Sequence, residues 1–235
     1  MTDNKGIIYE GVINSNLKKY KLQSSGFVPA GSDSNAPDAE LLYKGNKHKI
    51  EVKLDLNVDF GQGSLDYDLV NNKWILGGAT TPSAIQMREF LTAVKVPETV
   101  NQVWGPKGPP RKFTVPFSQY KQEDVDHDYK NFTDQFVDIP NDAVARYYNT
   151  KETYYIQIGG YGLYYMGKDP AKLDVPKFTL GLKLRIRLKR GGSFPIYNYR
   201  FSTAIQAVKG TLSKSTYDLD NNDFLKALSA RSPMK

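Results

Sequence analysis

The order of apolar and polar positions along the chain predicts a mixture of helices and strands. Apolar residues at Ile13, Leu17 and Tyr20 recur at helical spacing, whereas the alternation after residue 38 is typical of strands. In chain order, the pattern predicts a helix at 6–22, hairpins at 36–53 and 58–78, a helix at 81–94, strands at 152–167, 180–192 and 197–208, and a helix at 218–230. Residues 118–150 are expected to be irregular. The fold class expected from this order is α+β.

The first predicted hairpin contains the stretch APDAELLYKGNKHKIEVK, with a turn expected at Gly45–Asn46 because a leading glycine suits a type II′ turn. That turn sets the register, and the expected pairs are Lys44 with Lys47, Leu41 with Ile50, Glu40 with Glu51, and Asp38 with Lys53. Alternation then gives one face to apolar side chains, namely Ala39, Leu41, Tyr43, Ile50, Val52, Leu54 and Leu56. The opposite face is expected to carry Asp38, Glu40, Glu51 and Lys53.

The expected pairing of Glu40 with Glu51 is a like-charge pair, since directly opposed residues lie about 4.5–5.5 Å apart at Cβ. One interpretation is a solvent-facing hairpin whose carboxylates are simply hydrated. The other is compensation by Lys53 or by a divalent cation, because hard cations bind carboxylate oxygens. The hairpin pattern alone leaves both interpretations open.

The composition narrows the classes of function. The 235 residues include 32 lysines and arginines against 25 acidic residues, which gives a formal net charge of +7 and a pI near 9.2. This balance favours a polyanionic partner such as nucleic acid, although it also serves solubility. The absence of cysteine excludes disulfides, thiolate chemistry and cysteine zinc sites. With no signal peptide and no apolar run of about 20 residues, we expect a soluble cytoplasmic protein without a membrane partner.

Two short motifs in the hairpin resemble a known nuclease signature. Pro37–Asp38, followed thirteen positions later by Glu51–Lys53 (EVK), is similar to the PD-(D/E)XK motif of the restriction-endonuclease-like superfamily. In that superfamily the aspartate ends one strand and the E-x-K motif lies on its neighbour. The resemblance covers about the first third of the chain. It implies a restriction-endonuclease-like core, with a central mixed β-sheet flanked by helices and a β-rich C-terminal elaboration.

The resemblance also gives an expected domain organisation. We expect one nuclease-like domain over residues 1–235. Its catalytic core would comprise about residues 1–100 and the strands at about 152–190, with an insertion at about 105–150.

Two further residues match the superfamily more loosely. Gln62, followed by Tyr67, resembles a glutamine that several branches place after the E-x-K strand; the alternative is a turn residue between two glycines. Glu10 resembles a helical glutamate that reaches the metal or its water. The alternative for Glu10 is a first-turn glutamate favoured by the helix dipole.

The chemistry that the resemblance implies is metal-dependent hydrolysis of phosphodiester bonds. Asp38 and Glu51 would hold Mg²⁺ or Mn²⁺ together with the main-chain carbonyl of Val52, and Glu40 would be a second-metal ligand or a more distant partner. A bound divalent cation polarises the phosphate and lowers the pKa of its water. Lys53 would orient or deprotonate that water, or stabilise the phosphorus centre during attack.

A basic strand is the candidate contact with DNA. In the sequence KLRIRLKR, alternate residues are cationic, while Leu184, Ile186 and Leu188 are expected to point into the core. Cations about 6.6–6.8 Å apart suit a phosphate backbone, and the alternative is an edge strand protected by charge against aggregation. The candidate DNA-binding residues are Lys183, Arg185, Arg187, Lys189 and Arg190 on this strand, and Lys107, Arg111 and Lys112 in a Pro/Gly-rich connection.

Other catalytic motifs do not fit. Residues 162–169 (GLYYMGKD) nearly match a phosphate-binding loop, but Asp169 replaces the metal-binding hydroxyl and the middle is too apolar for an exposed loop. The histidines, His48 and His127, are far apart in sequence, which disfavours histidine–metal nucleases and Ser/His triads. His48 is also expected on the apolar face of the hairpin.

The sequence thus leads to two classes of function. The first is a metal-dependent DNA nuclease, expected to be an endonuclease, with a homodimer as one option because such enzymes that cut both strands are frequently dimers. The second is a non-catalytic nucleic-acid-binding or phage-associated structural protein whose hairpin motif is degenerate or coincidental. A nuclease-like domain that has lost catalysis is a third option.

Overall fold

The computed structural model describes residues 4–29, 36–140, 142–190 and 198–232, except for the side chain of residue 190. The helices are α1 (Lys5–Lys19), α2 (Pro82–Ala93), α3 (Val96–Val103), α4 (Arg111–Thr114), α5 (Gln122–Asn131), α6 (Ala143–Thr150) and α7 (Asn222–Ala230). The strands are β1 (Ala39–Tyr43), β2 (Asn46–Lys53), β3 (Gly61–Asp68), β4 (Lys73–Leu76), β5 (Gln135–Asp138), β6 (Thr153–Ile158), β7 (Gly162–Tyr165), β8 (Leu182–Arg190) and β9 (Tyr199–Ala207).

The expected α+β mixture is confirmed, with helices flanking two sheets. The expectation that residues 118–150 are irregular is wrong, because this segment contains α5, β5 and α6. Helix α5 has the sequence QEDVDHDYKN, which offers few apolar residues for a periodic signal. Its start is fixed instead by the Asp124 carboxylate, which accepts a 3.0 Å hydrogen bond from the Lys121 main-chain N–H.

The chain divides into two compact units. Unit 1 comprises Met1–Val58, Pro140–Gly181 and Ala207–Lys235, and unit 2 comprises Asp59–Ile139 and Leu182–Gln206. The expected core at 1–100 therefore contributes to both units. The grouping of both units into one nuclease-like domain stays a prediction.

Unit 1 is built on a mixed sheet with the strand order β1-β2-β6-β7. Strand β2 runs antiparallel to β1 and parallel to β6, and β6 runs antiparallel to β7. Helices α1 and α7 contribute apolar side chains to the core against this sheet. Fully buried members of the core include Ile13, Leu17, Leu41, Ile50, Tyr155 and Leu225.

The hairpin β1–β2 forms as expected, but its turn and register differ from the expectation. The turn residues are Lys44 (φ 48°) and Gly45 (φ 79°), since Tyr43 pairs with Asn46. Two consecutive positive φ angles are typical of a type I′ turn, which matches the twist of the strands. The partner of every β1 residue therefore moves by two positions, and a two-residue shift leaves each side chain on its expected face.

The corrected register separates Glu40 from Glu51 and moves the like-charge contact to Asp38. Glu40 pairs with Lys49 instead of Glu51, and Leu41 pairs with His48 instead of Ile50. The expected pair of Lys44 with Lys47 is also wrong, because Lys44 lies in the turn and Lys47 pairs with Leu42. The expected pairing of Asp38 with Lys53 is wrong for the same reason, because the register continued by one step beyond Ala39 and Ile50 places Asp38 beside Glu51.

Unit 2 contains the second sheet, with the strand order β4-β3-β9-β8-β5. One face of this sheet packs on an aromatic cluster in which the Trp74 ring lies 4.8 Å from Phe201 and 5.1 Å from Trp104, between centroids. The Asn101 side chain on α3 bonds both the main-chain N–H and C=O of Trp74, each at 2.8 Å. Strand β8 lies between β9 and β5, so the edge-strand interpretation of its charges is wrong.

Candidate active site

Asp38, Glu51 and Lys53, the residues that resemble the nuclease signature, meet in unit 1. Asp38 lies directly before β1, and its Oδ2 accepts a 2.9 Å hydrogen bond from the main-chain N–H of Val52 on β2. Lys53 Nζ lies 2.6 Å from Glu51 Oε1, and both side chains are mostly buried, with exposed fractions of 16% and 17%. The aspartate and the E-x-K motif are thus adjacent on neighbouring strands, as the hairpin predicted.

Helix α1 is attached to the same place by a buried asparagine. The Nδ2 of Asn14 donates to the main-chain oxygens of Asp38 and Glu10, both at 2.8 Å. The Oδ1 of Asn14 accepts a 2.6 Å hydrogen bond from the Gln23 side chain. Because both N–H groups of this amide are used, one on α1 and one on the residue before β1, Glu10 is held close to the start of β1.

The cluster is electrostatically unusual for its aspartate. Burial raises the pKa of the Asp38 carboxyl to about 7, and the nearby Glu51 carboxylate adds to the increase. Lys53 and the hydrogen bond from the Val52 amide act in the opposite direction without cancelling it. An aspartate that accepts a proton near neutral pH is a group whose charged form lacks full compensation.

Glu10 and Lys53 belong to the same electrostatic group. Burial raises the pKa of Glu10, and the effects of Lys53 and Glu51 on it oppose each other. Burial lowers the pKa of Lys53, but the carboxylates of Glu51, Asp38 and Glu10 outweigh burial, so that the pKa is raised overall. Lys53 is therefore held as an ammonium among three acidic groups.

One oxygen of this group lacks a hydrogen-bond donor. Glu10 Oε2 is buried and has no hydrogen-bond partner among the described residues. A buried acceptor without a donor is costly, and such groups are a common sign of a bound water or ion. The Glu10 carboxylate thus has an open coordination position within the cluster.

Tyr148 on α6 is a member of the cluster that sequence reasoning missed. Its hydroxyl donates a 3.0 Å hydrogen bond to Glu51 Oε1, and its side chain is buried. Burial raises the pKa of this hydroxyl well above its ordinary value, and the nearby Glu51 raises it further, so it acts as a donor. This contact has no signal in the sequence, because Tyr148 lies in the segment without a clear pattern.

The donors in the cluster suit a divalent cation of the Mg²⁺ type. Among residues 4–29, 36–140, 142–190 and 198–232, no three His, Cys, Asp or Glu side chains are grouped as a metal site by themselves. Magnesium, however, is usually held by one or two carboxylates and keeps several waters. Asp38 and Glu51 supply two carboxylates, and the raised pKa of Asp38 and the open Glu10 Oε2 are both features that a cation and its waters would relieve.

Two other predicted site residues have partners of their own. Glu40 accepts a short hydrogen bond from Ser24 Oγ, and Lys47 Nζ lies 3.6 Å from its other oxygen. Gln62 lies in unit 2, where its side chain donates to Asp59 at 2.9 Å and accepts from Lys189 at 2.7 Å. The hydroxyl of Tyr67 bonds the Asn72 side chain at 2.7 Å. The metal and catalytic roles of Glu40 and Gln62 stay predictions.

The cations of the basic strand β8 are partly taken up within unit 2. Arg187 lies 2.7 Å from the Asp59 carboxylate, and the two side chains are 14% and 13% exposed. Arg185 forms an ion pair with Asp134. Lys183 Nζ lies 4.2 Å from the centroid of the Phe136 ring. Leu184, Ile186 and Leu188 are buried, as the alternation predicted.

The cations predicted in the Pro/Gly-rich connection also make internal contacts, and Arg111 and Lys112 lie in α4 instead of a loop. Lys107 Nζ donates a short hydrogen bond to the Asn131 main-chain oxygen. Lys112 Nζ lies 4.9 Å above the Tyr199 ring, and burial lowers the pKa of this lysine. Arg111 is exposed, and the side chain of Arg190 lies outside the described residues. The DNA contacts of these residues stay predictions.

Comparison with known proteins gives one structural likeness. No protein-family model and no curated protein matches the chain. Among solved structures, the chain is similar to HhaI endonuclease in complex with DNA, at 11% identity and a TM-score of 0.44, over 95% of this chain and 98% of that one. Separately, none of the helices in the described parts of the chain is long and apolar enough to cross a membrane.

Proposed function

We propose that this chain is a metal-dependent DNA endonuclease of the PD-(D/E)XK type, with Asp38, Glu51 and Lys53 as its catalytic residues. The observation that carries the proposal is their convergence: two carboxylates from neighbouring strands and one ammonium lie in one mostly buried cluster. The net charge of +7 supports a polyanionic substrate. The HhaI endonuclease likeness is too distant to add weight.

Asp38 and Glu51 are the residues that would hold Mg²⁺ or Mn²⁺, with the Val52 carbonyl as a third donor by family resemblance. A bound cation of this kind neutralises charge on the phosphate and lowers the pKa of an attacking water. The Val52 amide and Tyr148 orient the two carboxylates through the hydrogen bonds described above. Glu10 Oε2, which lacks a donor, is placed to accept a proton or hydrogen bond from a water in the cluster.

Lys53 has two roles available in this geometry. Its Nζ donates to Glu51 and orients that carboxylate. Because its pKa is raised, Lys53 stays protonated at neutral pH and acts as a donor to negative charge that develops on the phosphate, in preference to acting as a base. Glu10 is therefore the better candidate for the group that orients or deprotonates the water.

A second candidate function is DNA binding without catalysis, and one observation favours it. The 2.6 Å contact between Lys53 and Glu51 already neutralises one carboxylate within the protein. A buried ion pair of this kind also occurs as a purely structural element. The domain would then bind nucleic acid through its positive charge alone.

The test is a cleavage assay on supercoiled and linear plasmid DNA with Mg²⁺, Mn²⁺ or EDTA. We expect cleavage that EDTA abolishes and that Asp38→Asn reduces by at least about 100-fold, because this change removes a metal-binding charge. Salt-sensitive DNA binding without cleavage would instead support the second candidate. A homodimer stays a prediction, which the sedimentation velocity of the purified chain would test.

A further inference from the structure

Unit 2 contains a cleft that does not include Asp38, Glu51 or Lys53. Gln62, which was predicted to be catalytic, lies among its lining residues. Its volume is about 240 Å³. It is bounded by β3, β9, the glycine-containing segment after β4 and helix α2. The lining residues used below are Ser64, Met87, Arg88, Leu91, Arg200 and Ser202.

The charge of this cleft is positive. Arg88 and Arg200 both line it and are exposed, and neither has an ion pair among the described residues. In the part of the chain that the structure describes, no acidic side chain lines the cleft. Burial is the main cause that lowers the pKa of Lys189, and the positive charge of nearby Arg200 lowers it further. Two guanidinium groups without carboxylate partners are the donors that suit a phosphate group.

A buried hydroxyl in the cleft lacks a partner. Ser202 is 4% exposed, and its Oγ has no hydrogen-bond partner among the described residues. Ser202 pairs with Ser64 across β3 and β9, and paired residues of antiparallel strands share a face. Because buried polar atoms are normally satisfied, Ser202 Oγ marks a position where a ligand atom would be hydrogen-bonded.

The remaining wall is apolar and closely packed. Met87 and Leu91 of α2 are buried beside the cleft. A Cβ added at Gly63 would lie 2.4 Å from Leu91 Cδ1, and one added at Gly77 would lie 2.1 Å from Ser64 Oγ. The two glycines are therefore needed for these walls to approach each other. Two arginines and an apolar wall in one cleft suit a phosphate joined to a sugar or base.

We propose that this cleft binds the phosphate group of a nucleotide unit, with Arg88 and Arg200 pairing with the phosphate and Ser202 Oγ hydrogen-bonded to it. The nucleotide comes from a DNA backbone or is free in solution, and the chemistry recognised is the same. Binding here requires neither Asp38 nor a metal ion. The inference thus goes beyond the proposed nuclease and stands if that proposal fails.

The experiment is isothermal titration of the whole protein in EDTA with inorganic phosphate, with deoxyadenosine 5′-monophosphate and with a 12-base-pair DNA duplex. The variants are Arg88→Gln, Arg200→Gln and Ser202→Ala, each checked for folding by thermal unfolding. The matched control is Lys73→Gln, which removes an exposed charge at the far end of β4 from the cleft. Amide NMR shifts on adding the mononucleotide give a second measurement.

We expect saturable binding of the mononucleotide with inorganic phosphate as a competitor, weakened about tenfold or more in either arginine variant and unchanged in Lys73→Gln. Competition by the duplex would identify backbone phosphate as the source, and lack of competition would identify free nucleotide. The shifts should include Gly77, Gly78 and Ser202. Absence of saturable phosphate and mononucleotide binding, equal affinity in the arginine variants, or shifts confined to other residues would overturn the proposal.

Discussion

The Tyr148 hydroxyl donates a 3.0 Å hydrogen bond to the carboxylate of Glu51, 97 positions earlier in the chain. Helix α6 therefore contributes directly to a cluster that the sequence signature places entirely on β1 and β2. The same Glu51 oxygen also contacts Lys53. Two donors on one buried oxygen fix its position, which is what a carboxylate that binds a cation requires.

Replacement of Tyr148 by phenylalanine should lower the free energy of unfolding by about 1–3 kcal/mol, because a hydrogen bond to a charged group is lost in a buried place. Urea denaturation measures this loss. The control is Tyr154→Phe on β6, a half-buried tyrosine whose ring centroid lies 6.0 Å from Lys168 Nζ, a contact that phenylalanine retains. An equal loss in the two variants would remove the special role of the Tyr148 contact.

Asp38 should make the stability of the metal-free protein depend on pH. The pKa of Asp38 is about 7 in the folded protein and near 3.8 unfolded. A raised folded pKa means that its stabilising contribution is complete below pH 3.8 and is lost as the pH rises through about 7. Between pH 4 and 7, wild type should lose on the order of 2–4 kcal/mol relative to Asp38→Asn.

Chemical denaturation in EDTA at several pH values measures this difference. Asparagine is a matched replacement because its Oδ1 can still accept the Val52 N–H. Addition of Mg²⁺ should restore stability to wild type above pH 7 and have a much smaller effect on Asp38→Asn, since the variant keeps only one of the two proposed metal-binding carboxylates, that of Glu51. Parallel stability profiles of the two proteins would show that Asp38 does not titrate in this range.

Lys53 and Lys47 lie on the same face of β2 and have different expected roles. Lys53→Met should reduce Mg²⁺-dependent cleavage by about 100-fold or more, since positioned donors and proton-transfer groups contribute about that much. Lys47→Met removes a side chain that is 63% exposed and should leave the rate within about twofold. Plasmid cleavage at equal protein concentration compares the two, and a similar rate in both would exclude Lys53 from the chemistry.

Gly159 allows the chain after β6 to approach the end of β2, directly beyond Lys53. A Cβ at this position would lie 2.2 Å from the Leu54 carbonyl oxygen, and the Gly159 N–H bonds the Lys53 carbonyl at 2.9 Å. Gly159→Ala should therefore destabilise by about 1–3 kcal/mol or more. Gly11→Ala in α1, where a Cβ meets nothing within 4 Å, should instead stabilise by about 0.5–1 kcal/mol. Thermal unfolding measures both variants, and midpoint temperatures that shift in the same direction would contradict this expectation.

Arg187 is expected to act on stability more than on DNA binding. It pairs with a carboxylate in a mostly buried setting, so Arg187→Gln leaves the Asp59 charge poorly compensated and should cost about 3–5 kcal/mol. Lys183→Gln should cost less than about 1 kcal/mol and weaken DNA binding at low salt. Urea denaturation and DNA binding at several salt concentrations compare the two variants. A larger loss of stability in Lys183→Gln than in Arg187→Gln would contradict the structural role of Arg187.

The face of each hairpin residue could be predicted from the sequence, whereas the register could not. Alternation assigns the acidic side chains to one face whatever the pairing, because a two-residue shift preserves it. The exact turn depends on Lys44 adopting a positive φ, which the presence of Gly45 beside it does not reveal. The prediction that the motif residues share one face therefore holds although the predicted register is wrong.

Contacts between distant residues were beyond the reach of the sequence pattern. Asp134 and Asp59 neutralise Arg185 and Arg187 from 51 and 128 positions away, so two of the cations that the sequence assigns to DNA form ion pairs within the fold. Helix α5 was missed because charged residues dominate it. Glu10 could be proposed only by family resemblance, since Asn14 rather than any periodicity brings α1 to Asp38.

The most direct measurement of the central claim is anomalous scattering from a crystal soaked in Mn²⁺. We expect a peak with carboxylate oxygens of both Asp38 and Glu51 at about 2.0–2.3 Å, comparable to magnesium and zinc distances to oxygen, and no peak in crystals of Asp38→Asn. A Mn²⁺ peak elsewhere in the molecule, or a peak that lacks either carboxylate and persists in Asp38→Asn, would contradict a metal centre in this cluster.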